Sequence, residues 1–194
     1  MKNTKAKRKA ALKHLNDQLT DRTHVHVGPS GEKVILELIS YNEDSFSASE
    51  NLNVDELLNQ CNLNLVNWIN IDGLSDEELI KRVATKFNLH YLLVEDILNT
   101  DHQPKADEYD QHLFFTLKML YRIEGQSIDY EHISFVLGKN YLLSFQEKEG
   151  DIFESLRIRL KQDTNIIRKR GADYLLYRLI DMIVDSYYSI LENI

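Results

Sequence analysis

Two pairs of acidic side chains in this sequence have the spacing to share a hard cation. Asp181 and Asp185 stand one helical turn apart, so their oxygens lie within reach of one hydrated ion. Glu95 and Asp96 form a second pair, inside a short segment, residues 92–99, that reads as helix. Magnesium keeps several of its waters and usually takes one or two carboxylates, so sparse acidic pairs suit it better than a dense oxygen cage. The same spacing also describes a solvated polar face. Arg178, Asp181, Asp185, Ser189 and Glu192 fall opposite the apolar side of their helix, and Arg178 can pair with Asp181 three residues on.

Other chemistry is poorly represented. No G-x-G-x-x-G, Walker-type loop, H-E-x-x-H or paired C-x-x-C occurs, so the chain reads as a non-enzyme without an organic cofactor. Cys61 falls on the apolar side of a helix and reads as a small core residue. His24 and His26 share one strand face but lack a third ligand, which leaves a solvated strand as the better reading.

The elements that must position these groups follow from periodicity. Residues 33–41 (KVILELISY), 65–71, 112–120, 131–137 and 141–145 read as strands. Turns are expected at 28–31 (GPSG), after a strand holding His24 and His26, and at 138–140. Asn53 is placed to cap a short helix with Val54, Leu57, Leu58 and Cys61 inward. Ser75 opens an S-x-x-E capping box for a helix that buries Leu79, Ile80, Val83 and Phe87. A helix over 91–98 follows, closed by Pro104. Strands with interspersed helices predict an α/β fold with a mixed parallel and antiparallel sheet flanked by helices, an α/β/α sandwich, followed by long C-terminal helices. These helices are expected over 151–162 and from 166 to the last residue. In the second, Leu176, Ile180, Ile183, Tyr187, Ile190 and Ile194 alternate spacings of four and three, a heptad-like seam. No glycine, proline or C-cap follows, so the helix is expected to run beyond residue 194.

Composition sets the outer bounds. The 194 residues carry a net charge of -8. Six cations lie in the first thirteen residues, with a possible short helix at 10–15, and they leave -14 on the remainder. An acidic body argues against nucleic acid, whose phosphates demand clustered Lys and Arg, and suits divalent cations. One cysteine fits a reducing compartment. No stretch approaches the roughly 20 apolar residues of a membrane span. The expected organisation is a basic, flexible N-terminus (1–22), an α/β domain (23–163) and the start of a helical region (164–194). Composition and periodicity reach an acidic α/β domain and no function.

Several segments together resemble the CorA family of magnesium and cobalt transport proteins. They are VNWINIDG (66–73), LVEDILN (93–99), KNYLLSFQE (139–147), DIF (151–153) and IRKRGADYLLYRLIDMIVDSY (167–187). Each alone is weak, but they stand in the family's order across residues 66–194, while residues 1–60 match only in general character. The sequence departs from the family's pattern at His102-Gln103-Pro104-Lys105, where arginine is expected before the proline. On the sequence alone, this departure touches none of the expected ligands.

The resemblance implies a funnel-shaped homopentamer in the cell inner membrane, with this domain facing the cytoplasm. Each subunit would add a long stalk helix and two membrane helices, with Gly-Met-Asn at the pore entrance; this chain holds none of these. Mg2+ and Co2+ would be the transported ions. Regulatory Mg2+ would bind between subunits and hold the closed state. Asp96 would take the principal position, facing an aspartate on the neighbour's stalk helix beyond residue 194. Glu95 and Asp181 would contribute to an adjacent site, with Asp185 one turn further on. Two alternatives are a zinc transporter of the ZntB branch and a soluble interaction module that pairs through the Leu176–Ile194 seam.

Overall fold

The structure, a computed structural model, describes residues 34–122, 128–148, 150–162 and 166–191. The basic N-terminal segment, the expected helix at 10–15, His24, His26 and the turn at 28–31 lie outside the described residues. So do Glu192, Ile194 and the side chain of Ser189.

Seven strands form one mixed sheet: β1 (Ile35–Tyr41), β2 (Phe46–Ser49), β3 (Val66–Asp72), β4 (Lys105–Tyr109), β5 (His112–Arg122), β6 (Ile128–Leu137) and β7 (Tyr141–Gln146). Their order is β2-β1-β3-β7-β6-β5-β4. Only β3 and β7 run parallel, with Asn67 opposite Tyr141 and Asp72 opposite Gln146. All other neighbours are antiparallel. A parallel pair needs a crossover, and here everything from residue 73 to 140 supplies it.

The central strands read as near-continuous apolar runs because both sheet faces are covered. Along β1, Leu36 and Leu38 enter one core, whereas Ile39 and Tyr41 enter the other. The first core is roofed by α1 (Val54–Gln60), α2 (Glu77–Lys86) and α3 (Tyr91–Leu98), through Leu57, Ile80, Val83, Leu93 and Ile97. The second is roofed by α4 (Glu154–Lys161), a 3-10 turn (Ile166–Lys169) and α5 (Ala172–Leu191), through Phe153, Leu156, Ile167, Leu175, Leu179 and Ile183. The α/β/α sandwich is thus complete.

Three local expectations change. Asp76, not Ser75, caps α2, with its carboxylate accepting from the Leu79 amide. The long final helix begins only at Ala172, after the 3-10 turn. Its seam is a sheet-packing face: Leu175, Leu176, Leu179 and Ile183 are buried, while Ile180 and Tyr187 are partly covered. Asn53 caps α1 in a reciprocal box with Glu56, as its spacing indicates. Among the described residues, no helix is long and apolar enough to cross a membrane.

Candidate metal site

α3 begins at His90, whose Nδ1 accepts from the Leu92 amide at 3.3 Å. Leu93, Ile97 and Leu98 pin the helix to the first core with Val94 packed against it, which leaves Glu95 and Asp96 on the side facing the cleft. Glu95 is exposed. The Asp96 side chain is only 13% exposed and meets a lysine and a histidine. Its Oδ2 accepts from Lys105 Nζ at 2.7 Å, and its Oδ1 lies 3.3 Å from His102 Nε2. Lys105 also reaches Asp107 Oδ2 at 2.9 Å and lies 5.8 Å from the centre of the Phe114 ring. Burial works against the Lys105 ammonium, but hydrogen bonds to Asp96 and Asp107 outweigh it and raise its pKa. Glu95, Asp96, Asp107 and Glu108 line a cleft of about 510 Å³ around this single ammonium. The acidic side chains of the cleft offer hard oxygens, which fit Mg2+.

The loop at 102–105 therefore does touch an expected ligand. His102 and Lys105 are missed by sequence reading because they lie six and nine residues past Asp96. Only the chain's return into β4 after Pro104 folds them back onto the carboxylate.

The other acidic pair sits on α5. Asp181 accepts from Arg178 Nη1 at 2.9 Å, the pairing its spacing allows. Asp185 is exposed beside a cleft of about 380 Å³ that also holds Arg159 and Arg178. α3 covers one core and α5 the other, so the sheet separates the two pairs. Among the described residues, no group of three or more His, Cys, Asp or Glu side chains is placed to hold a metal within one copy.

A second acidic cluster lies where the parallel strands β3 and β7 end. Arg157 forks onto Asp151, with Nη1 to Oδ1 at 2.8 Å and Nη2 to Oδ2 at 2.6 Å, and its Nε donates to Glu37 at 3.0 Å. Its guanidinium stacks 5.1 Å from the centre of the Trp68 ring. Gln146 Nε2 donates to Asp72, and Trp68 Nε1 donates to Ser144 at 2.9 Å. Burial pushes Asp72 up to about 6 and Glu131 up to about 8. Glu131 is 3% exposed, and its Oε1 has no hydrogen-bond partner. The carboxyl therefore keeps its proton at neutral pH. Asp72 comes from VNWINIDG, Ser144 and Gln146 from KNYLLSFQE, and Asp151 from DIF. Three segments that carry the family resemblance meet in this one buried network.

Comparison with known proteins agrees. A family model described as CorA-like Mg2+ transporter protein matches residues 64–194. The cobalt/magnesium transport protein CorA of Thermotoga maritima is 38% identical over 173 residues, which cover 89% of this chain and 49% of that protein. The soluble domain of CorA from Methanocaldococcus jannaschii superposes with a TM-score of 0.57 at 17% identity, covering 80% of this chain and 59% of that one. The cytoplasmic domain of ZntB from Vibrio parahaemolyticus superposes with a TM-score of 0.59 at 15% identity, covering 81% and 63%. These two likenesses are of fold. The chain spans about half the length of the Thermotoga relative. With a family model matched over well more than half its residues, the chain belongs to the CorA-like Mg2+ transporter family.

Proposed function

We propose that this chain is the cytoplasmic regulatory domain of a CorA-type divalent-cation channel, taking up Mg2+ and Co2+, and that it senses Mg2+ at the subunit boundaries of a homopentamer. The observation that carries the reading is the split of the acidic pairs across the sheet. Glu95 and Asp96 project from α3 over one core, and Asp181 and Asp185 from α5 over the other. One copy cannot bring Glu95 and Asp181 to one ion, whereas α3 of one copy set against α5 of the next can, beside the principal site at Asp96. The name of the Thermotoga relative supports the choice of ions.

The charge distribution supplies the switch. With -14 outside the first thirteen residues, apposed acidic faces repel. Mg2+ bound between copies contributes two positive charges that turn this repulsion into bridging. Asp96 and Glu95 then favour the arrangement in which a neighbour's oxygens are near, and an equilibrium shifts only through such differential affinity. Moving a population from 1:99 to 99:1 takes about 5.5 kcal/mol. A site filled at about five times its dissociation constant contributes roughly 1 kcal/mol, so about five weak, symmetric sites suffice. When Mg2+ falls, the carboxylates repel again and the closed form loses its advantage, which gives feedback on uptake.

In the full-length protein, Asp96→Ala should weaken inhibition of transport by Mg2+, measured as ion flux at varied internal Mg2+. Normal closure by Mg2+ in that variant, and in one that also lacks Glu95 and Asp181, would overturn the reading. A zinc transporter is the second reading, favoured by the comparable likeness to the ZntB domain. The carboxylates lining the cleft favour Mg2+, whereas His102 Nε2, 3.3 Å from Asp96 Oδ1, is a donor that zinc could use, and flux of Zn2+ against Mg2+ through the intact protein decides between them.

A further inference from the structure

Lys105 does more than neutralise its surroundings. Strand geometry puts residues two apart on the same face, so in β4 Lys105 and Asp107 project together. The ammonium sits between two carboxylates, 2.7 Å from Asp96 Oδ2 and 2.9 Å from Asp107 Oδ2. Phe114 flanks it at 5.8 Å. We propose that Lys105 is a built-in counter-cation that holds Asp96 until a divalent ion takes its place, whereupon the ammonium remains with Asp107. The proposal rests on the reading that Asp96 ligates Mg2+.

The metal-free and metal-bound states differ in which charges they leave unpaired. With Asp96 only 13% exposed, an unaccompanied carboxylate there would suffer both from lost hydration and from Glu95, Asp107 and Glu108 in the same cleft. Lys105 removes that penalty in the metal-free protein. A dication on Oδ2 cannot coexist with an ammonium on the same atom, because the two positive charges would stand within hydrogen-bonding range of each other. Lys105 is about a third exposed, on a flexible stem, and already bonded to Asp107. It can therefore let go of Asp96 without becoming unpaired. Lysine suits this role: its ammonium is a compact point charge with rotatable donors, whereas arginine would clamp the carboxylate through two bonds. The consequence is a site tuned to weaker binding. Each ion that binds must break an ion pair that already exists, which raises the Mg2+ concentration at which the sensor fills.

The test is Mg2+ binding to the full-length protein by titration calorimetry, with Lys105→Met, Asp107→Asn, their double variant and Asp96→Asn. Lys105→Met keeps the stem and removes the charge. It should tighten the dissociation constant about 5- to 30-fold. Asp107→Asn should weaken binding about threefold, and that effect should vanish in the Lys105→Met background, because it acts through the lysine. Asp96→Asn should abolish the binding. Unchanged or weaker binding by Lys105→Met, alongside loss in Asp96→Asn, overturns the proposal and leaves the metal reading intact. Wild-type binding by Asp96→Asn overturns both. Thermal melts check folding; should Lys105→Met fail to fold, Lys105→Gln replaces it in the same cycle.

Discussion

Two acidic clusters in this molecule each gather around one cation, and the two cations behave differently. At the ends of β3 and β7, Arg157 forks onto Asp151 and reaches Glu37 while stacking on Trp68. At the end of α3, Lys105 makes one contact each with Asp96 and Asp107 beside an open cleft. A planar guanidinium with several fixed bonds, next to an Asp151 that is only 5% exposed, cannot leave without stranding buried charges. A point charge with about a third of its side chain in solvent can. Residue type and charge are nearly the same in both places; burial and bond multiplicity separate a structural network from a site open to a ligand.

The largest effect should come from breaking the sealed cluster. Arg157→Ala leaves Glu37 and Asp151 buried without their partner and should cost about 3–5 kcal/mol in unfolding free energy. A loss below about 1 kcal/mol by denaturant titration would show that the network is not sealed.

Next in size is Glu131→Gln. Burial raises the Glu131 pKa to about 8, helped by Glu147, Asp72 and Asp151 and opposed by Lys148. The native state thus holds a proton that the unfolded chain releases near pH 4.5. Its contribution to stability is full below that pH and is lost as pH rises through 8. Asp72, raised to about 6, adds a loss of the same sign at lower pH. His132 is held down near 4 by burial, then by Lys118 and His102, and acts the other way: its contribution is lost as pH falls from 6.5 through 4. Glu131→Gln should therefore stabilise the protein by about 2–4 kcal/mol at pH 8 and by almost nothing at pH 4.5. A pH-independent difference in thermal unfolding would contradict this.

The smallest stability effect should come from the open cluster. After Asp96→Asn, Lys105 keeps Asp107, so unfolding free energy should change by less than about 1 kcal/mol. Its Mg2+ response should nonetheless disappear. A cost like that of Arg157→Ala would place Asp96 in the structural class instead.

Much of this was legible in the sequence, for reasons that also explain the gaps. Strands buried on both faces announce themselves as apolar runs, as in residues 35–41 and 141–146. Edge strands do not: β2 (FSAS) and β4 (KADEY) are half exposed and polar, and carry no apolar run to mark them. Heptad spacing on α5 could not tell a partner helix from a sheet, since both demand one apolar stripe. The acidic pairs could be read from local spacing, because each lies within one helix. Lys105 and His102 could not, because their approach to Asp96 depends on a loop that turns back after α3. Nor did spacing reveal that Asp72, Gln146 and Asp151 converge; only the parallel pairing of β3 and β7 brings them together.

Amide hydrogen exchange of α3 and α5 in the full-length protein, with Mg2+ and then with chelator, tests the central claim most directly. If Glu95 and Asp181, from opposite faces of the sheet, meet one ion across neighbouring copies, Mg2+ should protect the two helices together, with a single midpoint that Glu95→Gln removes from both. Protection confined to one helix, or identical exchange after chelation, would contradict it.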